Sequence, residues 1–567
     1  MADIKLVDTT QPLLPIGGNE RIQALDVVRG FALIGIFLMN IEFFNRPLAD
    51  INAGLPVNVT GIDAWAGWLI YNFVQGKFWT MFSLLFGMGF AVMLGRAERA
   101  GRSFLRPYLR RIVALAVFGM LHHIFIWGGD ILFSYAVGAI ALLILLYGRP
   151  LPILIGIAAL LGGGFIPGAD SLFGVCASLV VIACGAFYLR SEETSVIAQQ
   201  EMPLFSAIVL ALAGLLAVAA LVCWLVPGLP KEPAVPLALV ALILLALALL
   251  SAKFHEPRDK RMGRTGVGMY LLPFVVMTAF GAAKYFEPSL MPGAATAKPA
   301  VVEVAGKSAT AAQRKSAAEV AETEADAKAK DLADRAKREQ EQKEKVSGEK
   351  RVLTQGSYVD AVRMRARDFA ENASGEAVFA SIVVGMFLLG AWFVRSGVMA
   401  DTGAHLPLFR KLAWFGLPFG CALGLIGSAI ATAHYPGQPP GQYQLASGLS
   451  VLGNLPASLG YVGMIVLMLH SGSFLAGIRV LAPAGRMALT NYLTQSVVAS
   501  LFFYGYGFGH WGLGRAWQVV FVAGVFALQV VFSHAWLSKF HYGPMEWLWR
   551  AITYWQLPPM RRTATSN

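Results

Sequence analysis

Residues 204–227 read LFSAIVLALAGLLAVAALVCWLVP, a stretch without a single charged side chain. At 1.5 Å per residue, a helix of that length crosses the roughly 30 Å hydrocarbon layer of a bilayer. Within lipid, a helix satisfies all of its backbone donors and acceptors internally. The run is continuously apolar rather than alternating, so it reads as a spanning helix and not as a half-buried strand.

Outward from this segment the pattern repeats. Comparable runs lie at 27–45, 77–95, 109–128, 130–147, 151–167, 171–189, 234–251, 266–286, 377–396, 411–432, 448–470, 487–505 and 515–535. The expected fold is therefore all-α, a polytopic membrane helix bundle of about 14 spans (13–15) with both termini cytoplasmic. Residues 151–167 and 171–189 are short and glycine-rich and fit the pattern least well. Trp65, Trp68, Tyr71 and Phe73 read as an amphipathic helix at the membrane interface, where such rings settle.

Composition points the same way. Of 567 residues, 56% are apolar and 14% charged, against about 25% charged in soluble domains. Residues 287–376 hold 16 Lys/Arg and 16 Asp/Glu, so the net charge of +12 comes wholly from the rest of the chain. Cys176, Cys184, Cys223 and Cys421 sit in apolar runs without paired spacing. They read as inert, buried thiols rather than a zinc site or disulfide framework. The first run follows Arg21, Asp26 and Arg29 and lacks a small-residue cleavage pattern, which marks a retained helix rather than a signal peptide.

Orientation follows from arginine and lysine in the short loops. Arg96, Arg99, Arg102, Arg106, Arg110 and Arg111 cluster after the second run, and Lys253, Arg258, Lys260, Arg261 and Arg264 before the ninth. Arg395, Arg410, Lys411, Arg479, Arg486, Arg550, Arg561 and Arg562 continue the pattern. With fourteen spans and the N-terminus inside, all of these clusters are cytoplasmic. Four parts follow: a first bundle over 1–167, additional helices over 168–290, a charged insertion over 291–352, and a second bundle over 353–567. Residues 303–350 favour helix by propensity and offer pairs such as Glu324 with Lys328. They present no apolar face, so a solvated, partly helical extracytoplasmic arm is expected, a partner-binding arm being the sharper reading. Its balanced charge argues against nucleic acid.

Polar groups inside spans are costly, by about 2.5–3.5 kcal/mol for Asp, Lys or Arg at a helix centre, and so need a reason. Asn40 lies towards the outer end of the first run, with Glu42 just after it. His122 and His123 lie up the third run, and Asp130 follows in the short turn Trp127-Gly128-Gly129-Asp130. If helix continued into that turn, His122 and Asp130 would share a face about 12 Å apart. Substrate, water or another helix would have to join them. Histidine suits proton transfer near neutrality, although a lone histidine in an apolar helix is more often a packing residue. The spacing does not give a metal site. Towards the cytoplasm lie Arg21, Arg29, Arg486, Asn491, Glu546 and Arg550. Arginine there is commonly a topology anchor, and its functional alternative is phosphate binding. Neither a Walker loop nor a Gly-x-Ser-x-Gly elbow is present.

Several of these residues fall in motifs. Arg21-Ile22-Gln23-Ala24-Leu25-Asp26-Val27-Val28-Arg29-Gly30, continuing to Asn40, resembles the opening of the YeiB family of bacterial inner-membrane proteins. Phe82-Ser83-Leu84-Leu85-Phe86-Gly87, His122 with Gly129-Asp130, the segment Gly485 to Leu493, and the segment Gly543 to Arg550 resemble its later signatures in the same order. The similarity covers residues 18–167 and 355–555, with 170–350 as an enlargement of the middle. The opening motif also resembles that of transmembrane acyltransferases such as the heparan glucosaminide acetyltransferase. That resemblance implies transfer of an acyl group from cytoplasmic acyl-CoA, most simply acetyl-CoA, to an extracytoplasmic glycan or similar acceptor. Asn40 matches the asparagine closing that enzyme's first helix. Its catalytic histidine lies in the first outer loop, whereas residues 41–76 here contain none, so His122 takes the role by position. The implied site is catalytic His122, Asn40 and Asp130, with Arg29, Arg486 and Arg550 binding the donor and no metal. The implied location is the bacterial inner membrane. Expected partners are the lipid bilayer, a glycan acceptor and a second copy of the chain, without nucleic acid. The competing class is a proton-coupled transporter or flippase, and a third is a scaffold organised by the charged arm.

Overall fold

The computed structural model describes residues 22–197, 200–227, 229–288, 330, 333, 336–434 and 438–562. Each of the fourteen apolar runs lies on a helix, and the architecture is an all-α polytopic bundle. In chain order the helices are α1 Gln23–Asn40, α2 Gly61–Phe73, α3 Lys77–Ala100, α4 Leu105–Phe125, α5 Leu132–Tyr147, α6 Pro150–Gly163, α7 Ser171–Arg190, α8 Leu204–Leu225, α9 Ala234–Lys253 and α10 Arg258–Phe286. They continue with α11 over 336–355, α12 Tyr358–Arg395, α13 Leu406–Ile430 with a π-turn at Leu412–Gly416, α14 Gln442–Leu469, α15 Ala488–Phe503, α16 Arg515–Lys539 and α17 Pro544–Tyr554. Among the described residues, eleven helices are long and apolar enough to cross a bilayer. Leu132–Tyr147 and Pro150–Gly163 are shorter apolar helices, and α15 has 16 residues, short of the ~20 that a perpendicular span needs. A small antiparallel hairpin, Thr194–Ile197 with Gln200–Pro203, joins α7 to α8.

The bundle closes where small residues let backbones meet, because side-chain burial gives little drive between helices in lipid. A Cβ on Gly87 would lie 2.0 Å from the Phe387 carbonyl oxygen, and one on Gly390 would lie 2.1 Å from that of Leu84. So α3 and α12 pack backbone to backbone at the centre. By contrast α8 and α9 turn Leu215, Leu225, Leu242 and Leu249 outward. The thiols divide in the same way. Cys176 and Cys421 are buried, but Cys184 is exposed and Cys223 partly so, correcting the expectation of four buried thiols. In lipid an apolar side chain need not face inward.

The charged arm also departs from expectation at its described end; residues 291–329 lie outside the described residues. Helix α11 is docked. The Glu349 carboxylate accepts from the backbone N–H of Leu48 (2.8 Å) and of Ala49 (2.9 Å), capping the short turn Leu48–Ala53 as an acid caps a helix N-terminus. Burial pushes this carboxyl above the ordinary glutamate range, against the opposing pull of those two donors. Leu353 is buried beside Phe37, Phe44 and Trp127. Ser357 and Asp360 then form a reciprocal capping box that starts α12.

Candidate functional site

The arginine-rich end of the bundle encloses a cavity of about 260 Å³. Its construction begins at α1, where Gly30 and Gly485 allow a close approach. A Cβ on Gly485 would fall 1.9 Å from the Asp26 carbonyl oxygen, and one on Gly30 would fall 2.2 Å from that of Leu481. The segment carrying Arg486 is thereby held against the turn of α1 that carries Arg29. Arg29 pairs with Asp26 at 3.2 Å. Arg96, Arg111 and Arg550 complete the rim: all five guanidinium residues line this one cavity, with Asp26 and Glu546 as the carboxylates among its lining. The three arginines named from sequence are thus brought together, although they come from three distant parts of the chain.

Helix α17 covers part of the opening. The Arg111 guanidinium lies 3.9 Å from the Trp549 ring centroid, and the Arg550 group 4.7 Å from that of Tyr542, within cation–π range. Glu546 anchors this helix. Its carboxylate accepts from the backbone N–H of Leu489 (2.7 Å) and Thr490 (3.0 Å) and from the Thr490 hydroxyl (2.6 Å). It so caps the N-terminus of α15, as a negative charge does well there. Burial pushes its carboxyl up, while those donors pull it down.

From the arginines the cavity passes between Phe82, Leu85, Phe86 and Leu115 to Ile131, Tyr135 and Tyr492. Behind Tyr492 stands the His122–Asp130 pair. The His122 ring centroid is 5.3 Å from that of Tyr492, and its Nδ1 is 2.8 Å from Asp130 Oδ1. Both side chains are 1% exposed. This direct contact corrects the expected 12 Å separation. Helix α4 stops at Phe125, and residues 126–130 fold back instead of extending the helix. Gly119 makes room: a Cβ there would lie 2.3 Å from Phe133 N and 2.7 Å from Asp130 Oδ2. Asp130 Oδ2 also accepts from the Phe133 N–H at 2.9 Å, fixing the carboxylate at the start of α5. The arrangement leaves His122 Nε2 buried and without a hydrogen-bond partner.

Asn40 is elsewhere. It is half-buried at the end of α1, does not line the cavity, and is not a partner of either His122 nitrogen. The end of the bundle that it marks, opposite the arginine-rich end, is an ion-pair network: Arg515 meets Glu42 at 2.9 Å, and Arg46 meets Asp50 at 2.6 Å. Sequence reasoning missed Tyr492, which separates the cavity from His122, and Gly119, whose signal was a glycine one turn before a histidine.

Comparison with known proteins places the chain. It aligns with the uncharacterized protein YxaH of Bacillus subtilis (strain 168) at 25% identity over 561 residues, 97% of this chain and 98% of the relative. It aligns with the uncharacterized protein YeiB of Escherichia coli (strain K12) at 24% identity over 549 residues, 94% of this chain and 96% of the relative. Over nearly its whole length the chain is thus similar to uncharacterized proteins of the YeiB family. Residues 393–556 match the family described as "Protein of unknown function (DUF418)", and within that segment lie Arg486, Tyr492, Glu546 and Arg550. A shorter match, 39% identical over 122 residues, covers 33% of an uncharacterized 39.9 kDa protein encoded in the amylase 3' region of Bacillus acidopullulyticus. No solved structure matches.

Proposed function

We propose that this protein is a transmembrane acyltransferase of the bacterial inner membrane. It moves an acyl group, most simply acetyl, from cytoplasmic acyl-CoA to a hydroxyl or amine of a glycan or similar acceptor on the outer side. The observation that carries this reading is the continuity of the site. Five arginines at the cytoplasmic end share one cavity, and its far wall, Tyr492, stands against a histidine whose Nδ1 is held by a carboxylate.

Each part has a role. The CoA phosphates take charge-assisted hydrogen bonds from Arg29, Arg486 and Arg550. The pantetheine arm follows the apolar throat. Rotation of Tyr492 admits acceptor and thioester to His122, whose unpartnered Nε2 takes the acceptor proton as that oxygen or nitrogen attacks the thioester carbonyl. The carbon–sulfur bond breaks, and the histidine returns its proton to the departing CoA thiolate. Asp130 holds the ring in the tautomer that presents Nε2 as a base and stabilises the imidazolium, as an orienting carboxylate does in a catalytic triad. Asn40 has no part in this scheme.

Purified protein given radiolabelled acetyl-CoA and mixed envelope glycans is expected to transfer label. His122→Ala is expected to abolish that transfer while folding and binding donor. Equal transfer by His122→Ala overturns the assignment. The transporter reading draws on the same cavity and differs in releasing no free CoA.

A further inference from the structure

A second cluster of buried polar side chains lies inside the bundle, away from the arginine cavity and His122. At Gly76 the path from α2 to α3 breaks, with φ +80°, and α3 opens on Lys77, which is 1% exposed. Glycine is required by the positive φ and also by space, since a Cβ would sit 2.1 Å from Asn454 Nδ2. Asn454 is twelve residues into α14, roughly 18 Å from its start at 1.5 Å per residue and near the helix's middle. Lys77 therefore sits deep in the bundle and not at its rim.

The surroundings are polar but carry no negative charge. On α13, Gly424 presents a bare face: the position its Cβ would take is 3.7 Å from Lys77 Nζ, 3.7 Å from the Asn72 carbonyl oxygen and 4.0 Å from Asn72 Oδ1. The Asn72 amide is oriented by its Nδ2, which donates to the Trp68 carbonyl (2.9 Å) and Ser428 Oγ (3.3 Å). That leaves Asn72 Oδ1 buried without a partner, and Asn454 Oδ1 is buried without a partner too. Ser458 Oγ donates to the Lys77 carbonyl at 2.6 Å. The titratable groups nearby are Cys421 on α13, Tyr461 on α14, whose hydroxyl donates to the Phe73 carbonyl, and Tyr270 on α10, paired with Thr80. None is a carboxylate.

We propose that Lys77 is a proton-exchanging site within the membrane bundle, with the unpartnered side-chain oxygens of Asn72 and Asn454 as the neutral acceptors in its surroundings. Two unpartnered carbonyl oxygens receive donors and repel anions, so the site takes a proton rather than a phosphate or carboxylate. A lysine is suited to this because its amine survives burial in either charge state, which arginine's guanidinium does not. Without a counter-ion, the charged form depends on those neutral oxygens and on water admitted beside Gly424. The site is independent of the acyl-transfer reading, and it gives the bundle a group that takes up and releases a proton.

The test is thermal unfolding of the full chain in nanodiscs between pH 5 and 9, comparing wild type with Lys77→Met and Lys77→Arg. Wild type is expected to gain on Lys77→Met by a few degrees as the pH rises, because the cost of a buried ammonium is then relieved. Lys77→Arg, which cannot shed its proton, is expected to run parallel to Lys77→Met. A wild-type curve parallel to Lys77→Met across this range overturns the proposal. If Lys77→Met does not fold, Lys77→Gln replaces it under the same two outcomes.

Discussion

The two ends of the bundle use arginine in opposite ways. At the Asn40 end Arg515 lies between Glu42 (2.9 Å), the Leu38 carbonyl (3.0 Å) and Gln518 (2.6 Å). Arg46 beside it meets Asp50 and the Gly54 carbonyl. Charge there is balanced within a few residues and holds loops together. At the other end five arginines and two carboxylates face one cavity, and Glu546 is engaged by backbone and hydroxyl donors of α15. An excess of positive charge around an open volume is an arrangement for a ligand, whereas charge balanced within a few residues is an arrangement for shape. Arginine content alone does not distinguish the two; the balance of charge around the volume does.

Five substitutions break or sharpen this contrast. His122→Ala removes the proposed base and is expected to lower transfer to background, a loss of about 10²–10⁴-fold. Gly119→Ala, which drives a methyl into Asp130 and Phe133, should fall towards the same low rate with donor binding intact; both are read as kcat. Next, Arg486→Ala and Arg550→Ala are each expected to raise the donor KM about tenfold, the scale of one lost charge-assisted hydrogen bond. Arg515→Ala should leave that KM unmoved and lower Tm, since it removes the 2.9 Å partner of Glu42 and leaves it the longer Arg46 contact at 3.8 Å. An equal KM effect from Arg515 would erase the distinction between the ends.

Glu546→Ala strands three donors and is expected to cost about 1–3 kcal/mol of stability, read by chemical denaturation. The acid–base behaviour of this carboxyl has a definite sign. Burial raises it above its ordinary value of 4.5, so the folded chain holds the proton more tightly than the unfolded chain. That contribution is complete below about pH 4.5 and is lost as the pH rises through the raised value. Relative to Glu546→Gln, wild type should therefore lose Tm from pH 4 upward. The smallest effect is expected for Asn40→Ala, with transfer within about twofold of wild type. A large loss there would return Asn40 to the site.

The helices were legible because lipid imposes one requirement on every span, some twenty apolar residues, and each run met or approached it. The arginines were legible as a set for the same reason: guanidinium groups at the membrane edge stand out against an apolar background. Their convergence was not, since it depends on Gly30 and Gly485 pressing α1 against a segment 456 residues away. The His122–Asp130 contact was misread because spacing was converted to distance along a helix that in fact ends at Phe125. Lys77 looked like the edge of a span because the break at Gly76 reads as a loop; only packing shows α2 and α14 enclosing it. The docking of α11 escaped notice because Glu349 binds backbone donors that sequence pattern does not display.

The acyl-transfer reading depends on donor chemistry at the arginine cavity, and free thiol reports it directly. Proteoliposomes carrying the protein, acetyl-CoA on the cytoplasmic side and envelope glycans on the other, are predicted to release CoA thiol in step with acyl product, and the His122→Ala protein to release none. Movement of solute or donor across the bilayer with acetyl-CoA left whole would contradict the account and assign the same cavity to a carrier.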